Sequence, residues 1–324
     1  MMNSTQLLTK INDYLGALGY PEAPQLLYRP IEYTLEAGGK RLRPVFVLMS
    51  YGLFADDYSV AMPCAAAIEV FHNFTLLHDD IMDNAPLRRG RPTVWNRWGE
   101  NVAILSGDAM IISSYSLLAK APSVLLQRIM ECFNRVAMQV CEGQQYDMDF
   151  EQRQKVSMVE YMILIELKTS VLLAGSAMIG AVLGNASEND CKKIYRYALE
   201  LGLAFQQQDD LLDSYGTIEE LGKRIGGDIL EGKKTCLMLN AMSRATEEDR
   251  DILRSTHLDA TLSEEEKIAL VKEVYDRYDI PRTIQQQIAV RFERALAILD
   301  TLEIPVERTE HLRVFAQNLM GRKK

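Results

Sequence analysis

Apolar residues recur at intervals of three and four along most of the chain. Val124, Leu125, Ile129, Phe133, Val136 and Val140 have that spacing, as do Val156, Val159, Ile163, Leu167 and Val171, and Ile194, Ala198, Leu201 and Phe205. A period near 3.6 residues puts such positions on one helix face, whereas a half-buried strand alternates with period two. Between Pro122 and Pro281 there is neither proline nor period-two alternation of β-branched residues. Proline breaks a helix interior, so that stretch admits long helices. The pattern predicts about a dozen helices and no sheet. Residues 56–59, 86–93, 185–187 and 217–232 read as loops. No Gly/Ser-rich or Pro-rich linker interrupts the pattern, so a single all-α domain over residues 1–324 is expected. Beyond Gly232 the helices become shorter and more charged, as at 247–250 and 264–267, and residues 321–324 read as a solvated tail.

Composition narrows the class. Of the 324 residues, 48% are hydrophobic and 25% charged, enough for a packed core and too apolar for a disordered chain. With 36 bases against 45 acids the net charge is −9, which argues against a nucleic-acid binder, since such proteins neutralise phosphates with a basic face. No run of ~20 apolar residues is available to span a bilayer; the longest candidate lies at 171–184, and the first twenty residues lack a signal-peptide core. The cysteines, Cys64, Cys132, Cys141, Cys191 and Cys236, are scattered and never form a CxxC pair. They offer neither a zinc site nor a disulfide framework, and the expectation is a soluble protein of a reducing, cytoplasmic compartment.

The chemistry concentrates in two acidic clusters. Asp79-Asp80-Ile81-Met82-Asp83 follows the apolar segment that begins at Ile68. Residues four apart share a helix face, so Asp79 and Asp83 point the same way and Asp80 lies about a quarter turn off. A solvated helix end would also look like this, but acids beside Phe74, Leu76, Leu77 and Ile81 are costly to bury without a cation. Asp209-Asp210-Leu211-Leu212-Asp213 repeats the spacing at the end of another apolar run. Two such clusters on long helices can face one another inside a bundle. Oxygen ligands suit hard cations, and Mg²⁺ commonly takes one or two carboxylates with substrate phosphate oxygens. Cations for a phosphate stand at Lys40, Arg41 and Arg43, at Arg88, Arg89 and Arg91, at Lys168, and at Lys223, Lys233 and Lys234. Each group alone is more often surface charge than ligand. Beside two carboxylate patches in an acidic protein, they favour sites for two diphosphates. His72 lies two turns before Asp79 on the same face, where a lone histidine reads equally as a core group or a ligand.

These motifs resemble those of the trans-isoprenyl diphosphate synthases, also called short-chain polyprenyl synthetases. The GGKRLRP box stands at 38–44, and the first aspartate-rich motif at 77–83 is followed by Arg88-Arg89-Gly90-Arg91-Pro92-Thr93. Gly143-Gln144 with Asp147, Lys168-Thr169, and Phe205-Gln206 with Asp209, Asp210 and Asp213 follow in family order. Gly222-Lys223, Gly226, Asp228, Gly232-Lys233 and Thr235 complete the set. The last ninety or so residues add little to the resemblance. The family often continues with Leu-Pro after that threonine, whereas Cys236-Leu237 follows here, a change at a helix start.

The resemblance implies an isoprenoid-synthase-type helical bundle with a central cavity, performing a head-to-tail condensation. It implies three Mg²⁺ ions held on the allylic diphosphate by Asp79, Asp83 and Asp209, with Asp213 in support. Arg88, Lys168, Gln206, Lys223 and Lys233 would grip the same diphosphate, and Lys168 and Lys233 would share the catalytic work with the aspartates. Lys40, Arg43, His72 and Arg89 would bind isopentenyl diphosphate, while Thr169 and Gln206 would face the allylic cation. The expected primers are dimethylallyl, geranyl and farnesyl diphosphate, and the family is usually homodimeric. A class I terpene cyclase would carry a different second metal motif and would not need the GGKR box. A non-catalytic synthase subunit would have lost an acidic motif. A phosphohydrolase built on His78 and Asp79 would need more histidines than the four present.

Chain length is also addressed by the resemblance. Phe71, Thr75, Asp79 and Asp83 lie on one face at i, i+4 spacing, with Phe74 beside them. Each turn rises ~5.4 Å, about one extended five-carbon unit, so side-chain size one or two turns before the metal site can stop the growing tail. In the family an aromatic residue five positions before the first aspartate, where Phe74 stands, resembles short-chain enzymes. A second aromatic at Thr75 would favour fifteen carbons. The expected product is geranylgeranyl diphosphate, with farnesyl diphosphate next. The alternative is that Phe74 is ordinary core and the floor lies near residues 110–114.

Overall fold

The computed structural model describes residues 2–217 and 225–321. In chain order the helices begin with α1 (Ser4–Gly16), α2 (Gln25–Glu36), α3 (Leu42–Gly52), α4 (Met62–Met82), α5 (Val94–Trp98), α6 (Glu100–Leu118) and α7 (Ser123–Gln152). Then come α8 (Met158–Ile165), a π-helical turn (Glu166–Ser170), α9 (Val171–Leu183) and α10 (Glu188–Tyr215). The rest is α11 (Gly227–Leu230), α12 (Cys236–Arg244), α13 (Glu247–Ser255), α14 (Glu264–Arg277), α15 (Ile280–Leu299) and α16 (Val306–Gly321). The longest, α7 with 30 residues and α10 with 28, fall in the proline-free stretch. The all-α reading holds, with one departure. Leu87–Arg88 and Arg91–Pro92 pair as an antiparallel hairpin, the only strands among the described residues. Its two turn residues, Arg89 (φ 52°) and Gly90 (φ 73°), both have the positive φ that a tight two-residue hairpin needs. Strands of two residues are too short to show alternation in a sequence.

The chain forms two compact units, each with its own core. The first comprises Met1–Asn134, Gly175–Ile194 and Glu303–Leu312. In it, α1 starts at a capping box between Asn3 and Gln6 and buries Leu7, Ile11 and Leu15, which recur every fourth residue. Helix α3 is buried at every position from Pro44 to Gly52. Helix α4 packs against α6, and the Ser114 hydroxyl donates to the Ala67 carbonyl at 2.8 Å.

The second unit comprises Arg135–Ala174, Tyr195–Leu302 and Arg313–Lys324. Its core gathers Tyr161, Leu203, Leu237, Val274, Tyr275 and Ile284. Ser157 and Ser263 open α8 and α14 with capping boxes. Thr235 caps α12 by accepting from the Met238 amide at 3.3 Å, so that helix starts at Cys236 without the usual proline. Residues 217–232 were expected as loop, and the described part contains the single turn α11.

Helix α6 and the helical stretch Met158–Leu183 are long and apolar enough, by length and composition, to cross a membrane, which qualifies the expectation that no such stretch exists. In the second, 61% of the apolar window is buried in the protein, as in the core helix of a globular fold.

Candidate active site

In the first unit the acidic motif closes α4. Asp79 is half-buried in the last turn, and Asp83 is the exposed C-cap residue, its amide donating to the Asp79 carbonyl at 2.8 Å. The C-terminal end of a helix carries partial negative charge, so two carboxylates there favour a bound cation. Asp80 turns to another face, 5% exposed, and accepts from Arg88 Nε at 2.7 Å. Burial raises the Asp80 pKa and the Arg88 guanidinium opposes it. Arg88, expected on a diphosphate, therefore also ties the hairpin to α4.

One to two turns back along α4 lies a basic group. Lys40 is exposed, and Arg43 donates to His72 Nε2 at 3.0 Å. Burial, then the neighbouring Arg43, Arg89, Arg88 and Arg41, pull the His72 pKa well below 6.5, so the ring is neutral at pH 7. With Nε2 accepting from Arg43, the ring's proton sits on Nδ1. Burial lowers Arg43 to about 10, against the pull of Glu69, and it stays charged at neutral pH. Arg89, at the tip of the hairpin, donates to the Gly38 carbonyl. The structure thus brings Arg43, His72 and Arg89 together.

The expected chain-length residues sit in an aromatic stack of the same unit. Phe74 is 9% exposed, its ring 5.4 Å from Phe71 and 4.9 Å from His78. Phe71 meets Phe133 edge-on at 5.1 Å, and Phe133 meets Tyr115 at 5.3 Å. Thr75 is half-buried and donates to the His72 carbonyl at 2.8 Å.

In the second unit the same acidic spacing is used differently. Asp209 is half-buried. Asp210 is buried and accepts from the Tyr161 hydroxyl at 2.6 Å, the Cys236 amide at 3.0 Å and Gln206 at 3.1 Å. Burial raises its pKa and these bonds oppose the rise. Asp213, expected as a supporting metal ligand, is 1% exposed and accepts from the Asp228 amide at 2.9 Å, while its carbonyl accepts from the Gly226 amide at 2.6 Å. It anchors the turn that leads to Lys233. There Lys233 pairs with Glu231 at 2.7 Å; burial lowers the ammonium pKa, but Glu231, with Asp228 and Asp147, outweighs that and raises it. Lys223, expected on the diphosphate, lies outside the described residues.

Lys168 and Thr169 project from the π-helical turn. Lys168 pairs with Asp147, and Thr169 donates to Gln206 at 3.0 Å, which in turn donates to Asp210. Two glycines make room for the turn. A Cβ at Gly143 would collide with the backbone of Leu167 and Lys168, and one at Gly202 would lie 2.9 Å from Ser170 Cα. The Gly143-Gln144-Asp147 element therefore places Lys168 by shape and by charge.

The donors fit Mg²⁺. Among the described residues no group of three or more His, Cys, Asp or Glu side chains is arranged to hold a metal alone. Each cluster instead presents one or two carboxylates, the share Mg²⁺ takes when substrate phosphates supply the remaining oxygens.

The polyprenyl synthetase family model matches residues 24–277. This chain belongs to the polyprenyl synthetase family. It is 41% identical over 228 residues to the geranylgeranyl diphosphate synthase of Methanosarcina mazei, covering 70% of each chain. A solved geranylgeranyl pyrophosphate synthase matches with a TM-score of 0.95 at 40% identity over the full length of both chains. A polyprenyl synthase from Caulobacter crescentus, solved with calcium and isoprenyl diphosphate, matches with a TM-score of 0.84 at 27% identity, over 99% of this chain and 95% of that one.

Members of the family are prenyltransferases and are metal-dependent, and this chain is a trans-prenyltransferase of the isoprenoid synthase fold.

For this synthetase, three buried polar residues beside the candidate site lie outside the motifs. Glu69 and Asn73 sit in an apolar segment of α4, and Tyr161 opens the apolar α8. A polar side chain inside an otherwise apolar face was the one signal that pointed to them.

Proposed function

We propose that the enzyme condenses isopentenyl diphosphate with dimethylallyl, geranyl and farnesyl diphosphate in turn and releases geranylgeranyl diphosphate. The observation that carries this reading is the placement of the terminal carboxylates Asp79 and Asp83 on the helix, α4, whose His72 accepts from Arg43 of α3 in the basic group. Asp79, Asp83 and Asp209 would hold three Mg²⁺ ions, which would supply positive charge to the departing diphosphate, and Asp213 would support them through the turn it anchors. Arg88, Lys168, Gln206, Lys223 and Lys233 bind the allylic diphosphate in this reading. Lys40, Arg43, His72 and Arg89 bind isopentenyl diphosphate.

The allylic C1–O bond breaks and its electron pair leaves with the diphosphate. C4 of isopentenyl diphosphate attacks C1, and the proton then lost from C2 passes to the released diphosphate. Charge on that leaving group is what lysines and arginines stabilise. Thr169 and Gln206 present oxygens to the allylic cation.

Phe74 is the stop for the chain in this reading, backed by Phe71, with Thr75 leaving space beside it. The twenty-carbon product is supported by the relatives named above and by the buried aromatic stack. Farnesyl diphosphate is the second reading, favoured by the size of Phe74. The whole chain works as one isoprenoid synthase domain, and as a homodimer. Leu105 and Ile112, 59% and 68% exposed and seven residues apart on α6, support a partner surface. Five free cysteines, four of them buried, suit a reducing cytoplasm.

The test is to incubate the purified enzyme with Mg²⁺, isopentenyl diphosphate and each primer, and to resolve the products by chromatography. A twenty-carbon product is expected, and Phe74→Ala should lengthen it by one or more five-carbon units. An unchanged product distribution in that variant would show that Phe74 is not the stop.

A further inference from the structure

The basic box at residues 38–44 holds three cations, and the resemblance uses two of them. Arg41, the third, is 5% exposed, whereas Lys40 beside it is exposed. Its guanidinium reaches three elements of the first unit. Nη1 pairs with Glu69 of α4 at 2.5 Å, Nη2 donates to the Leu35 carbonyl at the end of α2, and Nε donates to Asn12 of α1 at 3.3 Å. Glu69 is held in turn, accepting from Asn73 at 2.9 Å. Both side chains of the ion pair are 3% exposed.

Arg41 also has φ 47° and ψ 34°, a left-handed conformation that favours glycine, at the N-cap position of α3. A non-glycine residue stays there when its surroundings over-determine it. The surroundings are the three anchors just named, together with Arg89, whose guanidinium would lie 2.8 Å from a Cβ at Gly39. The turn is thereby pinned from both sides, and Lys40 and Arg43 stand one residue before and two residues after Arg41. Glu69 has a second effect. It pulls against burial at Arg43 and, ahead of Asp80, at Arg89, so it offsets the repulsion among the arginines before an anion arrives.

We infer that Arg41 and Glu69 are a positioning pair that orients Lys40 and Arg43 for the diphosphate of isopentenyl diphosphate. The inference rests on the reading of that basic group given under Proposed function. Arg41 touches no substrate in it and acts through the turn.

The experiment measures steady-state kinetics for both substrates and the thermal midpoint. Arg41→Lys keeps a charge but loses the fork, and should raise the apparent KM for isopentenyl diphosphate roughly tenfold, leaving the KM of the allylic primer within about twofold. A double variant, Arg41→Met with Glu69→Leu, replaces the buried pair by apolar side chains, an exchange that often preserves stability. It should keep its thermal midpoint and still show the raised KM. Lys40→Ala is the control for the reading itself. If it raises that KM while both Arg41 variants leave it unchanged, the positioning role is overturned and the reading stands. If Lys40→Ala leaves the KM unchanged, the reading and the inference fall together. An equal rise in both substrates' KM values would also overturn the inference, because it would mark a general loss of structure.

Discussion

The two acidic motifs have the same spacing and different surroundings. Helix α4 ends at Met82, so the third acid, Asp83, is an exposed C-cap residue. Helix α10 continues to Tyr215, so the third acid of its motif, Asp213, remains inside a helix and is buried against the turn from Gly226. The middle acids differ as well. Asp80 meets a cation, Arg88, while Asp210 meets neutral donors, Tyr161 and the Cys236 amide. One spacing therefore yields two carboxylates at a helix end in the first motif. In the second it yields one half-buried carboxylate beside two that hold the protein together.

The largest effect that tests this comparison is on turnover. Asp79→Ala and Asp209→Ala should each lower kcat by at least ~10²-fold, the scale of losing electrostatic stabilisation of a leaving group. A near-normal rate in either variant would remove that motif from the chemistry.

Next come the third acids, where stability separates the motifs. Asp213→Ala should destabilise the protein by about 1–3 kcal/mol, because it leaves the Asp228 amide without its acceptor. Asp83→Ala should stay within about 0.5 kcal/mol, as exposed positions usually do. Urea unfolding of both variants compares them, and equal losses would erase the contrast. Gly143→Ala tests the second unit's π-helical turn. Its Cβ would press on the Lys168 backbone, and overpacking of that kind costs about 1–3 kcal/mol. The allylic KM should rise with it.

The smallest effect is a pH dependence in the first unit. His72 is held neutral, whereas in the unfolded chain it takes up a proton near pH 6.5. The unfolded state therefore binds more protons below that pH. Stability is full above about 6.5 and falls as the pH drops from there toward the depressed native pKa, by up to roughly 1.4 kcal/mol per pH unit. His72→Gln should remove this part of the slope between pH 7.5 and 5.5 in thermal or urea unfolding, and an unchanged slope would place the dependence elsewhere.

Much of the site was legible because it is local. Helical period, the proline-free stretch and the i, i+4 placement of Asp79 and Asp83 depend on residues a few positions apart, and the order of the motifs was supplied by the family resemblance. The hairpin at Leu87–Pro92 was not legible, since its strands are two residues long. Neither was the π-helical turn, which follows from the room left by Gly143 and Gly202 on other helices.

From the letters alone, Asp80 lies a quarter turn off Asp79 and Asp83, but nothing tells Asp80 from Asp210 or Asp83 from Asp213. Their separation depends on where each helix stops and on which donor lies opposite, and those donors are distant in the chain: Tyr161 for Asp210, Asp228 for Asp213. Arg41 and Glu69 were likewise unreadable as a pair, because a cation in a basic box and an acid in an apolar helix carry no mark of one another. Helix type and candidate ligands come from short-range periodicity. Partner choice for a buried charge is a tertiary matter, because the cost of leaving it unpaired is felt only once water has been excluded around it.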